Sequence, residues 1–332
     1  MDSLTQIILG AAVGEAVLGK KIGNKAMLYG AIAGTIPDLD VLSGFFTDKV
    51  TALEIHRGFT HSILFSVLFA PILALIVIKF EKHKNFKDWS WLFFWTFVTH
   101  PILDAQTTWG TQLFWPLDIR LAFKNVFVVD PLYTIPFLIF LLLAIRQKKE
   151  YKKRRFYNNL GIIISSSYLL LTIVLKGISY KKFIEELAEK NIVYTDIKTK
   201  PTPLNTVLWT ANVATENTYL IGHSSFFDTK PINFSSYPKN HHLLGDLVKH
   251  PKVKRMIDIS KGWFTINKKN DVLYFNDLRF GALSLKPNAE NFVFKYKIEL
   301  NAEGTPIFTE EPKEKSDAKK MLLELWMRIK GN

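Results

Sequence analysis

Three short clusters in the first third of the chain carry residues that can do chemistry. Glu54-Ile55-His56-Arg57-Gly58-Phe59-Thr60-His61-Ser62 gathers two imidazoles, a guanidinium and two hydroxyls directly before a long apolar run. Pro37-Asp38-Leu39-Asp40 follows an earlier apolar stretch, and His100-Pro101-Ile102-Leu103-Asp104 closes a later one. Imidazole with carboxylate suits Zn²⁺, Mn²⁺ or Fe²⁺. The chain has no cysteine, so thiolate sites and disulfides are excluded and any metal must take nitrogen or oxygen ligands. The competing reading of all three clusters is polar punctuation where a chain leaves a bilayer.

Spacing limits what each cluster can do. Residues 56 and 61, five apart, would lie ~140° apart on a single helix, so one helical face cannot hold both. A loop turning into a helix can, with Gly58 permitting the turn and Thr60 as N-cap of a helix starting at His61 and Ser62. Such a helix aims its N–H groups and dipole at the histidines, and Arg57 can clamp a phosphate bidentately. Asp38 and Asp40 follow a proline in an irregular segment; one can ligate while the other accepts a hydrogen bond from a ligand histidine. His100 and Asp104 share a face only if helical geometry persists through Pro101; otherwise Pro101 opens a new turn. Of the remaining histidines, His83 falls in a cytoplasmic loop, while His223, His241, His242 and His250 have no carboxylate at ligand spacing; all read as surface or structural residues. No nucleophile elbow or phosphate-binding glycine loop is present.

The elements that would position these clusters are membrane helices. Hydrophobic residues make up 48% of 332, concentrated before about residue 180. Leu4 to Leu18 and Ala26 to Ile36 are short, glycine-rich apolar stretches suited to close helix packing. Gln6 and Glu15 on the first are costly in lipid and should face the bundle interior, Glu15 as a packing or proton-relay residue. Ser62–Phe80, Trp89–Leu103, Val126–Ile145 and Leu160–Ile178 read as spans, giving four to six membrane segments in all. The net charge of +13 raises nucleic-acid binding, but the excess sits in short loops such as 146–155, where membrane orientation explains it and no nucleic-acid partner is expected. Counting those loops as cytoplasmic puts residues 37–61, 100–125 and everything after 180 on the extracytoplasmic side. The first stretch lacks a basic leader and is not a cleavable signal.

From Tyr180 the pattern changes. Lys181 to Asn191 predicts a short amphipathic helix, and Thr206–Ala211, Thr218–Gly222, Val272–Phe275 and Asn291–Ile298 predict strands. Ser316 to Lys330 predicts a terminal amphipathic helix. The expected architecture is therefore an α-helical integral membrane domain over 1–179 carrying the site. A small β-rich α+β extracytoplasmic domain follows over 180–332.

The ordered motifs Ile36-Pro37-Asp38-Leu39-Asp40, His56-Arg57-Gly58-Phe59-Thr60-His61-Ser62 and His100-Pro101-Ile102-Leu103-Asp104 resemble the YdjM-like membrane-bound metal-dependent hydrolases. Thr107-Thr108-Trp109-Gly110, Trp115-Pro116 and Asn276-Asp277-Leu278-Arg279-Phe280-Gly281 fit the same family. That family is distantly similar to zinc-dependent phospholipase C and its related nucleases. The resemblance implies Asp38, His56, His61, His100 and Asp104 as metal ligands. Many members carry a histidine where this chain has Gln6, an amide being the poorer ligand. The resulting expectation is a multi-pass hydrolase of the bacterial cytoplasmic (inner) membrane, acting on a lipid-like or other envelope phosphoester. One or two divalent ions, zinc first and manganese second, would activate water. Asp40, Arg57 and Thr60 would take catalytic roles, and membrane lipids are the expected partners. A non-catalytic protein that anchors an envelope-binding domain is the alternative.

Overall fold

Glycine spacing sets the first packing event. Helix α1 (Ser3–Ile22) turns at Gly23, whose φ of +63° favours glycine, into α2 (Asn24–Thr35). A side chain on Gly10 would begin 2.3 Å from the Gly30 carbonyl oxygen, and one on Gly14 2.1 Å from that of Ala26. The two helices therefore cross backbone to backbone, as small-residue motifs allow. The computed structural model describes residues 1–312 and 318–332.

After α2 the chain runs through a 3₁₀ segment (Pro37–Phe45), α3 (Lys49–Ile55) and a single 3₁₀ turn (Phe59–His61) into α4 (Ile63–Phe80). The cap of α4 is Ser62, whose Oγ accepts the Phe65 N–H at 3.0 Å. Thr60 was expected there; the 3₁₀ turn shifts the cap by two residues. Helix α5 (Phe86–Asp104) starts at Asn85 and continues through Pro101. Helix α6 spans only Pro131–Ile145, short of the predicted start at Val126, because the Asp130 carboxylate caps the N–H groups of Leu132 and Tyr133. Helix α7 (Lys152–Glu189) is one continuous helix of 38 residues. It absorbs the short helix predicted over 181–191, since Phe183, Ile184 and Leu187 continue the apolar periodicity into a core with Trp209 and Val213.

Among the described residues, α4 and α7 are long and apolar enough to cross a membrane; α6 is apolar but only 15 residues long. Val67, Leu68, Ile72, Leu75 and Ile76 of α4 are exposed, a surface that water disfavours and lipid does not.

The chain divides into two units, one of residues 1–46, 55–174 and 203–205, the other of 47–54, 175–202 and 206–332. The second is β-rich. β1 (Asp196–Pro201), β2 (Leu208–Ala214), β3 (Thr218–Ser225) and β4 (Phe234–Pro238) form one antiparallel sheet in sequence order. β5 (Phe264–Lys269), β6 (Val272–Ala282), β7 (Phe292–Leu300) and β8 (Pro306–Glu310) form another. Phe264, Ile266, Phe275, Tyr296 and Phe308 build the core of the second sheet, and Val50 of α3 joins them. α8 (Pro251–Ile259) was not predicted. α9 (Ala318–Ile329) matches the terminal amphipathic helix, whose predicted first residues, Ser316 and Asp317, lie outside the described residues.

Candidate metal centre

Four of the polar residues meet at one point. The ligand atoms of Asp38, His61, His100 and Asp104 all lie within 4.8 Å of one another. Three local devices supply them. Pro37 ends α2 and starts the 3₁₀ turn that presents Asp38. The 3₁₀ turn before α4 presents His61, and the last turn of α5 presents His100 and Asp104 together. Helical geometry does persist through Pro101, so the i, i+4 pair shares a face.

The hydrogen bonds fix which ring atoms face inward. His100 Nδ1 donates to the Gly34 carbonyl at 2.7 Å, leaving the Nε2 lone pair for the cluster. His61 Nδ1 lies 3.0 Å from Thr60 Oγ1, which in turn donates to Asp40 Oδ2 at 3.4 Å. His61 Nδ1 is itself 3.4 Å from the same Asp40 oxygen, so Nε2 again faces inward. The two Nε2 atoms are 3.2 Å apart. Asp38 Oδ1 is 3.4 Å from each, and Asp104 Oδ2 is 3.3 Å from His61 and 3.6 Å from His100. A tetrahedral ion with bonds of ~2.0–2.1 Å separates its ligand atoms by about 3.3–3.4 Å. Two facing lone pairs at 3.2 Å repel unless a cation lies between them. Asp104 Oδ2 is buried and makes no hydrogen bond, its nearest polar neighbours being the Arg57 guanidinium and the two Nε2 atoms. The donors present fit a divalent ion.

Asp104 is held from behind. Its Oδ1 accepts from Gln6 Nε2 at 3.0 Å and contacts the Met1 amine. Arg57 is buried with Nε 3.1 Å from Asp104 Oδ2, while its Nη1 donates to Thr107 Oγ1 at 2.9 Å. Arg57, not Gly58, adopts the left-handed conformation, at φ +58°. Its own N–H thereby reaches Asp40 Oδ2 at 2.7 Å. Gly58 is needed for space: a Cβ there would lie 2.8 Å from the Ile55 carbonyl oxygen.

His56 stands outside the four-residue cluster. Its Nδ1 is 3.0 Å from Asp40 Oδ1, its ring packs against Trp109, and its side chain keeps 26% exposure. Asp40 therefore serves both histidines. Burial works to raise the Asp38 carboxyl, but the neighbouring His100 and His61 rings outweigh it and hold it below the usual range. Burial likewise opposes ionisation of Asp40; the His56 hydrogen bond, the adjacent His61 ring and the Arg57 N–H prevail and lower it. Both carboxylates are ionised at neutral pH.

With this geometry in hand, likeness to known families can be weighed. A family model described as YdjM inner membrane protein matches residues 1–182, more than half of the chain. The chain belongs to the YdjM inner membrane protein family. It is similar to the uncharacterized protein YfhP of Bacillus subtilis (strain 168), at 30% identity over 142 residues, covering 40% of this chain and 42% of YfhP. It is also similar to the inner membrane protein YbcI of Escherichia coli (strain K12), at 28% identity over 112 residues, covering 34% of this chain and 64% of YbcI. The matches thus span less than two thirds of either relative. No solved structure matches.

Two contributors to the site of this YdjM-family chain carried no metal signal in the sequence. The Gly34 carbonyl that orients His100 is a backbone atom of α2, which no side-chain pattern marks. Thr107 Oγ1 donates to the Asp104 carbonyl at 2.8 Å and accepts from Arg57; its place three residues after Asp104 was the available clue. Among the other histidines, His83 pairs with Asp88 at 2.6 Å, His241 with the Phe264 carbonyl at 2.8 Å, and His250 caps α8.

Proposed function

We propose that this protein is a multi-pass hydrolase of the cytoplasmic membrane, with one divalent ion, zinc first, held by Asp38, His61, His100 and Asp104. The reaction would cleave a phosphoester of a lipid or envelope component. One observation carries the reading: four inward-facing N and O atoms at near-tetrahedral separations, two of them on imidazoles whose outer nitrogens are already committed. When bound, such an ion supplies Lewis acidity and lowers the pKa of a coordinated water.

The surrounding residues then have separable tasks. Asp40 and Thr60 hold the His61 tautomer. Arg57 and Gln6 hold Asp104, with the Arg57 charge offsetting the carboxylates. His56, half-buried and bonded through Nδ1 to Asp40, has its Nε2 free to take a proton from an attacking water. Large apolar side chains flank the ligand-bearing segments outside any long helix: Leu39, Leu42, Phe45 and Phe46 beside Asp38, and Phe114 and Leu117 in the loop after α5 are all exposed. An apolar rim of this kind suits a substrate that reaches the site from lipid. By the positive-inside pattern the site and the β-rich region lie outside the cytoplasm.

Metal analysis of the purified full-length protein, followed by a panel of phosphoesters including phospholipids, tests the proposal. His61→Ala should lose metal and activity together, whereas His56→Ala should keep the metal and lose activity. Metal-free wild type, or activity that survives His61→Ala, refutes it. Orientation is tested separately: a cysteine replacing Lys152 should resist a membrane-impermeant thiol reagent in intact cells, and one replacing Asn240 should label.

A further inference from the structure

A second site lies at the far end of α1. Glu15 and Arg154 form a buried bidentate pair, Nε to Oε1 at 2.7 Å and Nη2 to Oε2 at 2.5 Å, and Arg154 Nη1 also donates to Asn24 Oδ1 and the Gln147 carbonyl. Over this pair opens a cavity of about 580 Å³, lined further by Lys20, Lys149, Glu150, Lys152 and Arg155. Because Arg154 neutralises Glu15, the remaining charges are four exposed cations against one carboxylate. The only hydrogen bond found for the Lys149 ammonium, among the described residues, is a long 3.5 Å contact to the Lys21 carbonyl. Helix α7 begins at this cavity with no acidic residue in its first turn, so the positive end of its dipole adds to the field.

We propose that this cavity binds the phosphate headgroup of an anionic phospholipid. Three features favour a lipid over a lone phosphate. The volume is that of pockets enclosing whole ligands. Tyr151 and Phe156 at the lining are exposed, aromatic and placed where a headgroup meets acyl chains. Finally, Lys20 lies 14 residues beyond Gln6 along α1, about 21 Å at helical rise, which puts the cavity at the other end of the helix from the Asp/His cluster. Basic pockets between membrane helices recognise anionic headgroups in this way. The proposal does not rest on the metal reading.

The test uses the full-length protein in nanodiscs of equal phosphatidylglycerol and phosphatidylcholine, released in detergent for native mass spectrometry. Wild type should retain phosphatidylglycerol preferentially. K149Q/R155Q should bind it about 25-fold more weakly, roughly fivefold per cation removed. A charge-matched control, K82Q/K87Q, with Lys82 in the α4–α5 connection and Lys87 in the first turn of α5, should behave as wild type. Both pairs are exposed, and matching thermal unfolding midpoints exclude misfolding. Equal retention of the two lipids, or equal loss in both double variants, overturns the site. Displacement of the bound lipid by millimolar inorganic phosphate overturns the lipid assignment in favour of a soluble phosphate-bearing ligand.

Discussion

Replacing Asp40 with asparagine separates the metal from its support. The Asp40 side chain is almost fully buried and its two oxygens meet four donors: His56 Nδ1 at 3.0 Å, Arg57 N at 2.7 Å, Thr60 Oγ1 at 3.4 Å and His61 Nδ1 at 3.4 Å. Asparagine keeps the shape but replaces one acceptor oxygen with an NH₂ that can only donate. Its amide oxygen can retain the Arg57 N–H, in which case the NH₂ turns toward a ring N–H and one imidazole loses its anionic partner. Support of this kind is worth 10–100-fold in metal affinity, or about 1.4–2.8 kcal/mol. The assay is a zinc titration of chelator-stripped protein in detergent against a fluorescent competitor. Asp40→Asn should bind one ion with affinity reduced by that factor, while His61→Ala, which removes a ligand, should show no stoichiometric binding. Affinity for Asp40→Asn within twofold of wild type refutes the supporting role. Loss as complete as that of His61→Ala would make Asp40 a ligand.

Three further expectations concern the scaffold. Glu15→Gln strands the buried Arg154 charge and should cost about 3–5 kcal/mol, read as a lowered unfolding midpoint in detergent; a midpoint within error of wild type would mean that water already reaches the pair. Gly30→Ala puts a methyl 2.1 Å from the Gly10 carbonyl oxygen. Forcing α1 and α2 apart should destabilise by about 1–3 kcal/mol and weaken metal binding through His100, whose partner Gly34 lies on α2. In the β-rich unit, burial lowers His223 from its ordinary 6.5 to about 4, with the Arg328 and Lys200 charges adding. A depressed histidine leaves the folded form neutral while the unfolded form takes up a proton. Stability is thus full above pH 6.5 and falls as pH drops toward 4, by ~2 kcal/mol after allowance for partial exposure. His223→Gln should flatten that slope in unfolding measured against pH.

What the sequence disclosed, and what it withheld, follow from the range of the interactions. The residue types and local order of the four-residue cluster were readable because Asp38, His61, His100 and Asp104 stand beside proline or an apolar run, where a polar side chain is unexpected without cause. The i, i+4 relation of His100 and Asp104 was likewise local, apart from the question of Pro101. Whether a histidine ligates or supports was not readable. His56 and His61 belong to the same short motif, and the left-handed Arg57 between them sends one ring to the cluster and the other to the far side of Asp40. In the β-rich unit, β2, β3, β6 and β7 showed alternation or aromatic enrichment. β1 (Asp-Ile-Lys-Thr-Lys-Pro) and β4 (Phe-Ser-Ser-Tyr-Pro) are sheet edges whose polar composition hid them.

Gln6 carries the argument about ion number. A histidine at that place on α1 would bring another ligand nitrogen toward Asp104. The amide instead brings a donor, and spends it on Asp104 Oδ1 at 3.0 Å and on the His100 carbonyl at 3.2 Å. That bond fixes the carboxylate with Oδ2 toward His61 and His100, so on the proposed reading Asp104 would offer one oxygen to a single centre. A second ion nearby would have to recruit Asp40 or His56, and Asp40 is already shared among four donors. Glutamine at this position thus trades a possible ligand for the orientation of an existing one. On the proposed reading, a chain built in this way is organised around one ion.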